Sequence, residues 1–319
     1  MKICIVIDPL ESLKPEMDTS LLLASAANQR GDEVAITFPA RLLVRDGQAY
    51  AYTHRFPYRR DAADAGDLRS SLGSEQFEAL AEYDVVLVRP DPPVNMSYLA
   101  MTYILDCANT CVVNAPSALR HINEKTVTMR WPEATPETCF GYDVETLFAE
   151  MERDRERWWV IKPGNEFNGN AVAKGRAADR DQALQALREC TKGGTQLAIL
   201  QAFLPAVERG DKKVYLVGET LIGAMNRLPI PGDFRANIHL GAAFEATELS
   251  TQERKICEQI GAYCAEQGAP LVCIDLIGGY VTEVNITSPS GIPEINRVDQ
   301  AAYEHLILEK LEEYVVARK

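Results

Sequence analysis

The chain has 319 residues, enough for two or three packed domains rather than one core. Hydrophobic residues make up 46% and charged residues 25%, ordinary values for a globular chain. A net charge of −13, from 33 basic and 46 acidic residues, argues against a general nucleic-acid or anionic-membrane binder but leaves room for a small anion held by a few placed lysines and arginines.

The opening MKICIVIDPL reads as a buried first strand over Ile3 to Ile7, too short and wrongly flanked for a signal peptide. Asp18–Thr19–Ser20 caps a helix of Leu21 to Gln29, which Gly31 ends. Val34 to Phe38 is a second strand, and Arg41 to Val44 with Gln48 to Thr53 forms a hairpin around Asp46–Gly47. A helix is expected near 75–82, a buried strand over Asp84 to Val88, a helix from Met96 to Cys107 and a short strand at Cys111 to Val113. Alternating strands and helices imply a parallel sheet with its ligand at the carboxyl ends, where Asp8, Arg89 and Asn114 stand. Each of these three also suits a plain cap or turn.

A boundary is expected near 120, giving an α/β unit over 1–120, a second lobe over 121–200 and a third over 201–319. Ala115–Pro116–Ser117 opens one helix and Asn123–Glu124–Lys125 another. Trp158 to Pro163 is a strand placing Lys162 before the loop Gly164 to Gly169; Ala171 to Ala173 returns as a strand, and a helix covers about 179–190. Leu197 to Leu200 leads into Gln201–Ala202–Phe203–Leu204–Pro205. Lys213 to Val217 and Thr220 to Asn226 pair around Gly218–Glu219. The run Arg227 to Ala243 has little periodicity, and a long loop in a compact domain is more often functional than idle. Helices over 251–267 and about 299–316 flank the last strands. No stretch approaches the roughly 20 apolar residues that a transmembrane helix needs. Eight cysteines without a CxxC read as reduced thiols of a cytosolic protein, and four histidines suggest no zinc site.

The stretch LVCIDLIGGYVTEVNITSPSG, residues 271–291, is the most informative. Period-two alternation about a Gly–Gly turn reads as a β-hairpin. Glu283 and Asn285 share a face. A two-residue turn would set Asp275 opposite Thr282; a three-residue loop over 278–280 is therefore expected, since it sets Asp275 opposite Glu283. Two carboxylates and an amide oxygen then form a hard oxygen cluster suited to Mg²⁺ or Mn²⁺ with phosphate as co-ligand. A sheet edge with solvated acids fits the same spacing. Lys125, Lys162, Arg227 and Arg235 supply cations to offset a triphosphate, Arg235–Ala236–Asn237 lies in a loop able to clamp over substrate, and Ser288 to Gly291 precedes a short helix able to hold a carboxylate or acyl-phosphate oxygen.

With IVIDP, RPDPPVNMSYLAMTYIL at 89–105, NAPSALRHINEK at 114–125, ATPET at 134–138, VIKP at 160–163, QAFLPAVERGDKKV at 201–214, RAN at 235–237 and IDLIGGYVTEVNITSP at 274–289, the chain resembles the bacterial-type glutathione synthetases of the ATP-grasp superfamily over its full length. The resemblance implies an α/β protein with an N-terminal parallel-sheet domain and two α+β lobes enclosing ATP. It implies that Lys125, Lys162 and Lys213 meet the nucleotide, that Gln201, Phe203 and Leu204 form the adenine hinge, and that Asp275, Glu283 and Asn285 hold the metal. Arg227, Arg235 and Asn237 would serve the reacting groups, while Asp18, Ser20, Arg89, Ser288, Ser290 and Gly291 would contact substrate. The implied reaction is phosphorylation of a γ-glutamylcysteine carboxylate by ATP followed by attack of glycine, in a cytoplasmic homo-oligomer acting on small molecules. Three positions depart from the family pattern: the loop 164–170 has only two glycines, Pro293 stands where an arginine is usual, and Pro90 replaces a lysine. The same ligase chemistry on another dipeptide or amine, and a non-catalytic ATP-binding protein, are the alternatives.

Overall fold

The structure, a computed structural model, describes all residues except 62–66, 166–171, 231, 236–240 and 319. The first unit runs β1 (Lys2–Val6), α1 (Thr19–Arg30), β2 (Glu33–Thr37), β3 (Leu42–Arg45), β4 (Gln48–Arg55), β5 (Glu75–Ala79), β6 (Val85–Val88), α2 (Met96–Leu105), β7 (Cys111–Val113) and α3 (Pro116–His121). Four strands, in the order β2-β1-β6-β7, pair in parallel. β3, β4 and β5 add to them in antiparallel fashion, so the sheet is mixed rather than purely parallel. In β1 the two faces are equally buried: Ile3 and Ile5 pack beneath α1, while Cys4 and Val6 pack toward α2. Burial on both sides is why this strand reads as a continuous apolar run. Asp18 caps α1 by accepting from the Leu21 N–H, and Gly31 ends the helix at φ 91°.

The second unit holds β8 (Thr138–Gly141), α4 (Val144–Glu152), β9 (Trp159–Pro163), β10 (Ala173–Gly175), α5 (Arg180–Thr191) and β11 (Ala198–Ala202) in a four-stranded sheet ordered β10-β9-β11-β8. The third holds β12 (Asp211–Val217), β13 (Thr220–Leu228), β14 (Ala243–Ala246), α6 (Thr251–Glu266), β15 (Leu271–Ile277), β16 (Tyr280–Asn285), α7 (Ile292–Asp299) and α8 (Tyr303–Val316), with sheet order β14-β13-β12-β15-β16. The first and third sheets share two continuous apolar cores: Val86 and Leu105 belong with Val214 and Ile274, and Ile5 and Leu87 with Tyr215 and Ile307. The second sheet keeps a core of its own around Phe148, Trp159, Leu184 and Leu200. A lobe with a separate core can move as a unit against the other two.

Several sequence expectations need correction. Residues 75–82 form strand β5 and a single 3₁₀ turn, not a helix. The segment after Lys125 is a 3₁₀ turn over Val127–Arg130, because the β-branched Thr126, Val127 and Thr128 disfavour a long helix. The short helix expected after Gly291 is α7, and the final helix, expected over about 299–316, is α8, which starts only at Tyr303 because Gln300, at φ 52°, ends α7. The turn between β15 and β16 is also shorter than expected. Ile277 pairs with Tyr280, so the loop is Gly278–Gly279 alone, with φ 58° and 85° in the positive region that glycine permits. Asp275 nevertheless faces Glu283, because a bulge at Thr282 inserts one residue into β16. The register is the expected one and its cause is different.

Candidate active site

A cleft of about 960 Å³ is lined by residues of all three units. Its floor is a row of charges that strand pairing sets side by side. Lys213 on β12 lies opposite Asp275 on β15, which lies opposite Glu283 on β16. Asp211, two residues before Lys213, lies opposite Arg227 on β13. Opposed and i+2 residues share a face, so all five charges point the same way. Asp275 Oδ1 meets Lys213 Nζ at 3.2 Å and Arg227 Nη2 at 3.1 Å, and that guanidinium also binds Asp211 Oδ2 at 2.7 Å. Burial pushes the Asp275 carboxyl up, but Arg227 and Lys213 outweigh it and hold the group at about 2. For Asp211, burial together with the neighbouring Asp275 anion outweighs Arg227 and Lys213 and raises the carboxyl to about 6. Asp275 is thus a firm anion at neutral pH. Its Oδ1 meets the two cations without hydrogen-bond alignment and keeps acceptor capacity in hand.

Two more lysines converge from other segments. Lys125 Nζ meets Glu283 Oε1 at 3.0 Å. Glu124 fixes that approach: its Oε1 accepts from the Ile286 and Thr287 N–H groups at 2.6 and 2.8 Å, and its carbonyl accepts from the Val284 N–H. The segment therefore docks along β16 as a short extra edge. Lys162, on the lobe with the separate core, donates to Gln201 Oε1 at 3.0 Å and to the Thr282 carbonyl at 3.3 Å. Burial pushes its ammonium down to about 8, with Glu283 opposing the shift and Lys125 adding to it.

The remaining expected residues fall into three groups. Gln201, Phe203 and Leu204 line the cleft where β11 leaves the second sheet, with Phe203 edge-on to Phe234 at 6.0 Å between ring centroids and Lys174 Nζ 3.5 Å above it. Arg89, Asp18, Ser288, Ser290 and Gly291 also line the cleft. There the Arg89 guanidinium donates to Ser20 Oγ at 2.9 Å and to the Pro289 carbonyl at 2.8 Å. Ser20 does not itself line the cleft; it is buried behind Arg89 and holds it. Arg235 lines the cleft too, paired with Asp233 at 2.7 Å, whereas Asn237 lies outside the described residues. Of the loop 164–170, only Gly164 and Asn165 are described. Asp8 accepts from the Asp91 N–H at 2.7 Å, and Asn114 spans the first and third sheets through Leu271 and the Ile286 carbonyl. Sequence reasoning missed Asp211, Glu124 and Glu294. The i, i+2 spacing of Asp211 and Lys213 was the one available signal.

Two carboxylates and an amide, Asp275, Glu283 and Asn285, meet on the cleft floor, with Asn285 Nδ2 3.4 Å from Asp275 Oδ2. This all-oxygen donor set fits a hard divalent cation. Residues 1–120 match the family described as prokaryotic glutathione synthetase, N-terminal domain, and residues 124–300 match prokaryotic glutathione synthetase, ATP-grasp domain. The chain belongs to the prokaryotic glutathione synthetase family. The glutathione synthetase of Nostoc sp. is 36% identical over 321 residues, covering 98% of each chain. That of Thermosynechococcus vestitus is 35% identical over 308 residues, covering 94% of this chain and 96% of its own. The crystal structure of D-cycloserine synthetase DcsG covers 98% of this chain and 99% of its own, with a TM-score of 0.69 at 14% identity, a likeness of fold. As a member of this family the protein is an ATP-grasp ligase, an ATP-using enzyme that works with a divalent metal.

Proposed function

We propose that the protein joins γ-glutamylcysteine to glycine to make glutathione. The observation that carries this reading is the ordered row Glu283–Asp275–Lys213 with Lys125, Lys162 and Arg227 around it, in a cleft that Arg89 and the Ser288–Gly291 segment also line. A carboxylate is a poor electrophile, and phosphorylation gives it a leaving group. The dipeptide carboxylate oxygen forms a bond to the γ-phosphorus as the bond to the β,γ-bridging oxygen breaks and ADP leaves. The glycine amine then attacks the acyl carbon, inorganic phosphate departs, and the amine's proton goes to solvent or phosphate. No side-chain nucleophile is needed. Positioning, charge compensation and exclusion of water carry the rate.

In this reading Gln201 to Leu204 receive the adenine, and Lys125 and Lys162 meet the phosphates. Asp275, Glu283 and Asn285 hold Mg²⁺ in preference to Mn²⁺, and the metal, when bound, neutralises charge on the phosphates. Lys213 and Arg227 then turn from Asp275 toward the transferring phosphoryl group, with Arg235 and Asn237 serving the reacting groups from the loop above. Small-molecule substrates, a cytoplasmic location and a homo-oligomer complete the reading. All eight cysteines are free thiols, which supports a reducing compartment, and among the described residues no helix is long and apolar enough to cross a membrane. A coupled ADP-release assay tests the function. ADP release that needs both γ-glutamylcysteine and glycine is the expected result. Release only with another amine would replace glycine as the acceptor, and ATP binding without release under any pairing would make the protein a nucleotide binder.

A further inference from the structure

The second sheet sets three polar side chains on one face. Lys162 on β9 lies opposite Ile199 on β11; Gln201, two residues on, shares that face and lies opposite Thr138 on β8. They form one chain of hydrogen bonds. Lys162 Nζ donates to Gln201 Oε1 at 3.0 Å, Gln201 Nε2 donates to Thr138 Oγ1 at 3.1 Å, and the Thr138 hydroxyl donates to the Pro136 carbonyl at 2.7 Å. Lys162 and Gln201 line the cleft, whereas Thr138 stands behind Gln201 and does not.

The far end of the chain sets its direction. A carbonyl only accepts and a hydroxyl has one proton, so a Thr138 hydroxyl that donates to Pro136 has only acceptor capacity left for Gln201. It therefore selects the amide nitrogen of Gln201, which turns the amide oxygen toward Lys162. The opposite orientation would set an NH₂ group against an ammonium, donor against donor. Gln201 is 3% exposed, so water does not choose for it. The Pro136 segment is itself anchored: the Thr135 hydroxyl donates to the Thr128 carbonyl at 2.8 Å, and the Glu137 carbonyl accepts from the Ala202 N–H at 2.8 Å. An ammonium has three N–H bonds. Gln201 Oε1 and the Thr282 carbonyl take two of those of Lys162, which leaves one for the cleft. We propose, on the reading in which Lys162 meets the phosphates, that Thr138 is a positioning residue for nucleotide binding: it fixes the Gln201 amide, and the amide aims the Lys162 ammonium into the cleft.

Calorimetric titration of the full chain with ATP and Mg²⁺, and separately with adenosine, tests it. Thr138→Val keeps the shape and loses the hydroxyl, so it should weaken ATP about tenfold, the loss expected for one hydrogen bond to a charged group, and leave adenosine within about twofold of wild type. Thr138→Ser restores the hydroxyl and should bind both ligands as wild type does. In a Lys162→Met background, Thr138→Val should cost ATP nothing further, because the two changes remove one interaction. Equal weakening of ATP and adenosine marks a merely structural residue and overturns the proposal. So does unchanged ATP binding, a Thr138→Ser variant as weak as Thr138→Val, or the same loss in the Lys162→Met background. If Lys162→Met alone binds ATP as tightly as wild type, the lysine does not meet the phosphates, and that part of the functional reading falls together with the proposal. If Lys162→Met weakens ATP and Thr138→Val does not, the proposal falls alone.

Discussion

Replacing Glu283 with glutamine separates the chemistry of the floor from its packing. Glu283 meets Lys125 at 3.0 Å and its side chain is 23% exposed, open to the cleft on one side. Burial raises its carboxyl, but Lys125 and Lys162 outweigh that and hold it below the usual range, so it is an anion at neutral pH. Glutamine keeps the volume and an acceptor for the Lys125 ammonium while removing one charge. A fully buried pair broken at one partner costs about 3–5 kcal/mol, and the open side and retained acceptor bring the expected loss to roughly 1–2 kcal/mol. Turnover should suffer far more, because the lost charge served the metal–phosphate complex: about 10²–10³-fold, or roughly 3–4 kcal/mol. ADP release measured across a Mg²⁺ titration, beside a denaturant melt, reads both quantities. The half-saturating Mg²⁺ concentration should rise. Turnover within about threefold of wild type at limiting Mg²⁺ would refute the metal assignment, since the scale above leaves no room for so small an effect.

Lys162, held near 8 in the free protein, should gain charge when phosphates arrive, so ATP binding at pH 8 should take up about half a proton and show a buffer-dependent enthalpy. Lys162→Met should abolish that uptake, and buffer-independent enthalpy in wild type would show that the ammonium does not meet the phosphates. Glu78 accepts from Lys2, Thr53 and Tyr83, and although burial raises its carboxyl these bonds hold it below the usual value. Its stabilisation is therefore present above the unfolded carboxyl pKa of about 4.3 and is lost as pH falls through the folded value; Glu78→Gln should cost about 1–3 kcal/mol at pH 7 and converge with wild type in acid melts. Deleting Thr282 should leave a regular β15–β16 hairpin that still pairs Asp275 with Glu283, keep the melting temperature near wild type, and weaken ATP binding because Lys162 loses its carbonyl partner. A deletion that binds ATP normally would show that this contact plays no part.

Where local signals and tertiary context agree, the sequence is a good guide. Asp18 and Gly31 frame α1 because a cap side chain and a left-handed glycine act within one turn. Residues 75–82 mislead for the opposite reason. EQFEALAE carries strong helix formers, yet β4 offers an open edge, and Phe77 stacks on Tyr50 at 5.1 Å across it. Cross-strand packing overrides propensity there. In the second lobe β8 and α4 fall outside the sequence expectations, and β8 joins its sheet through β11, a pairing with no local signature.

The floor of the cleft shows the same limit more sharply. Its residue types were legible: an acid and an amide, Glu283 and Asn285, stand two apart on an alternating strand after a Gly–Gly turn, with Asp275 on the strand before it. Their alignment was not. A two-residue turn continued as a regular ladder would set Asp275 against Thr282 and send Glu283 toward the apolar side, where Val281 and Val284 pack. A bulge avoids that, and bulges leave an unpaired backbone group that must find a partner. Here the Thr282 hydroxyl donates to the Asp275 carbonyl at 3.2 Å, and the Thr282 carbonyl receives Lys162 from the other lobe. The irregularity that aligns the two acids thus also supplies the point where the separately packed lobe touches the floor. Neither half of that arrangement lies in the hairpin's own sequence, because the partner that satisfies the bulge is 120 residues away.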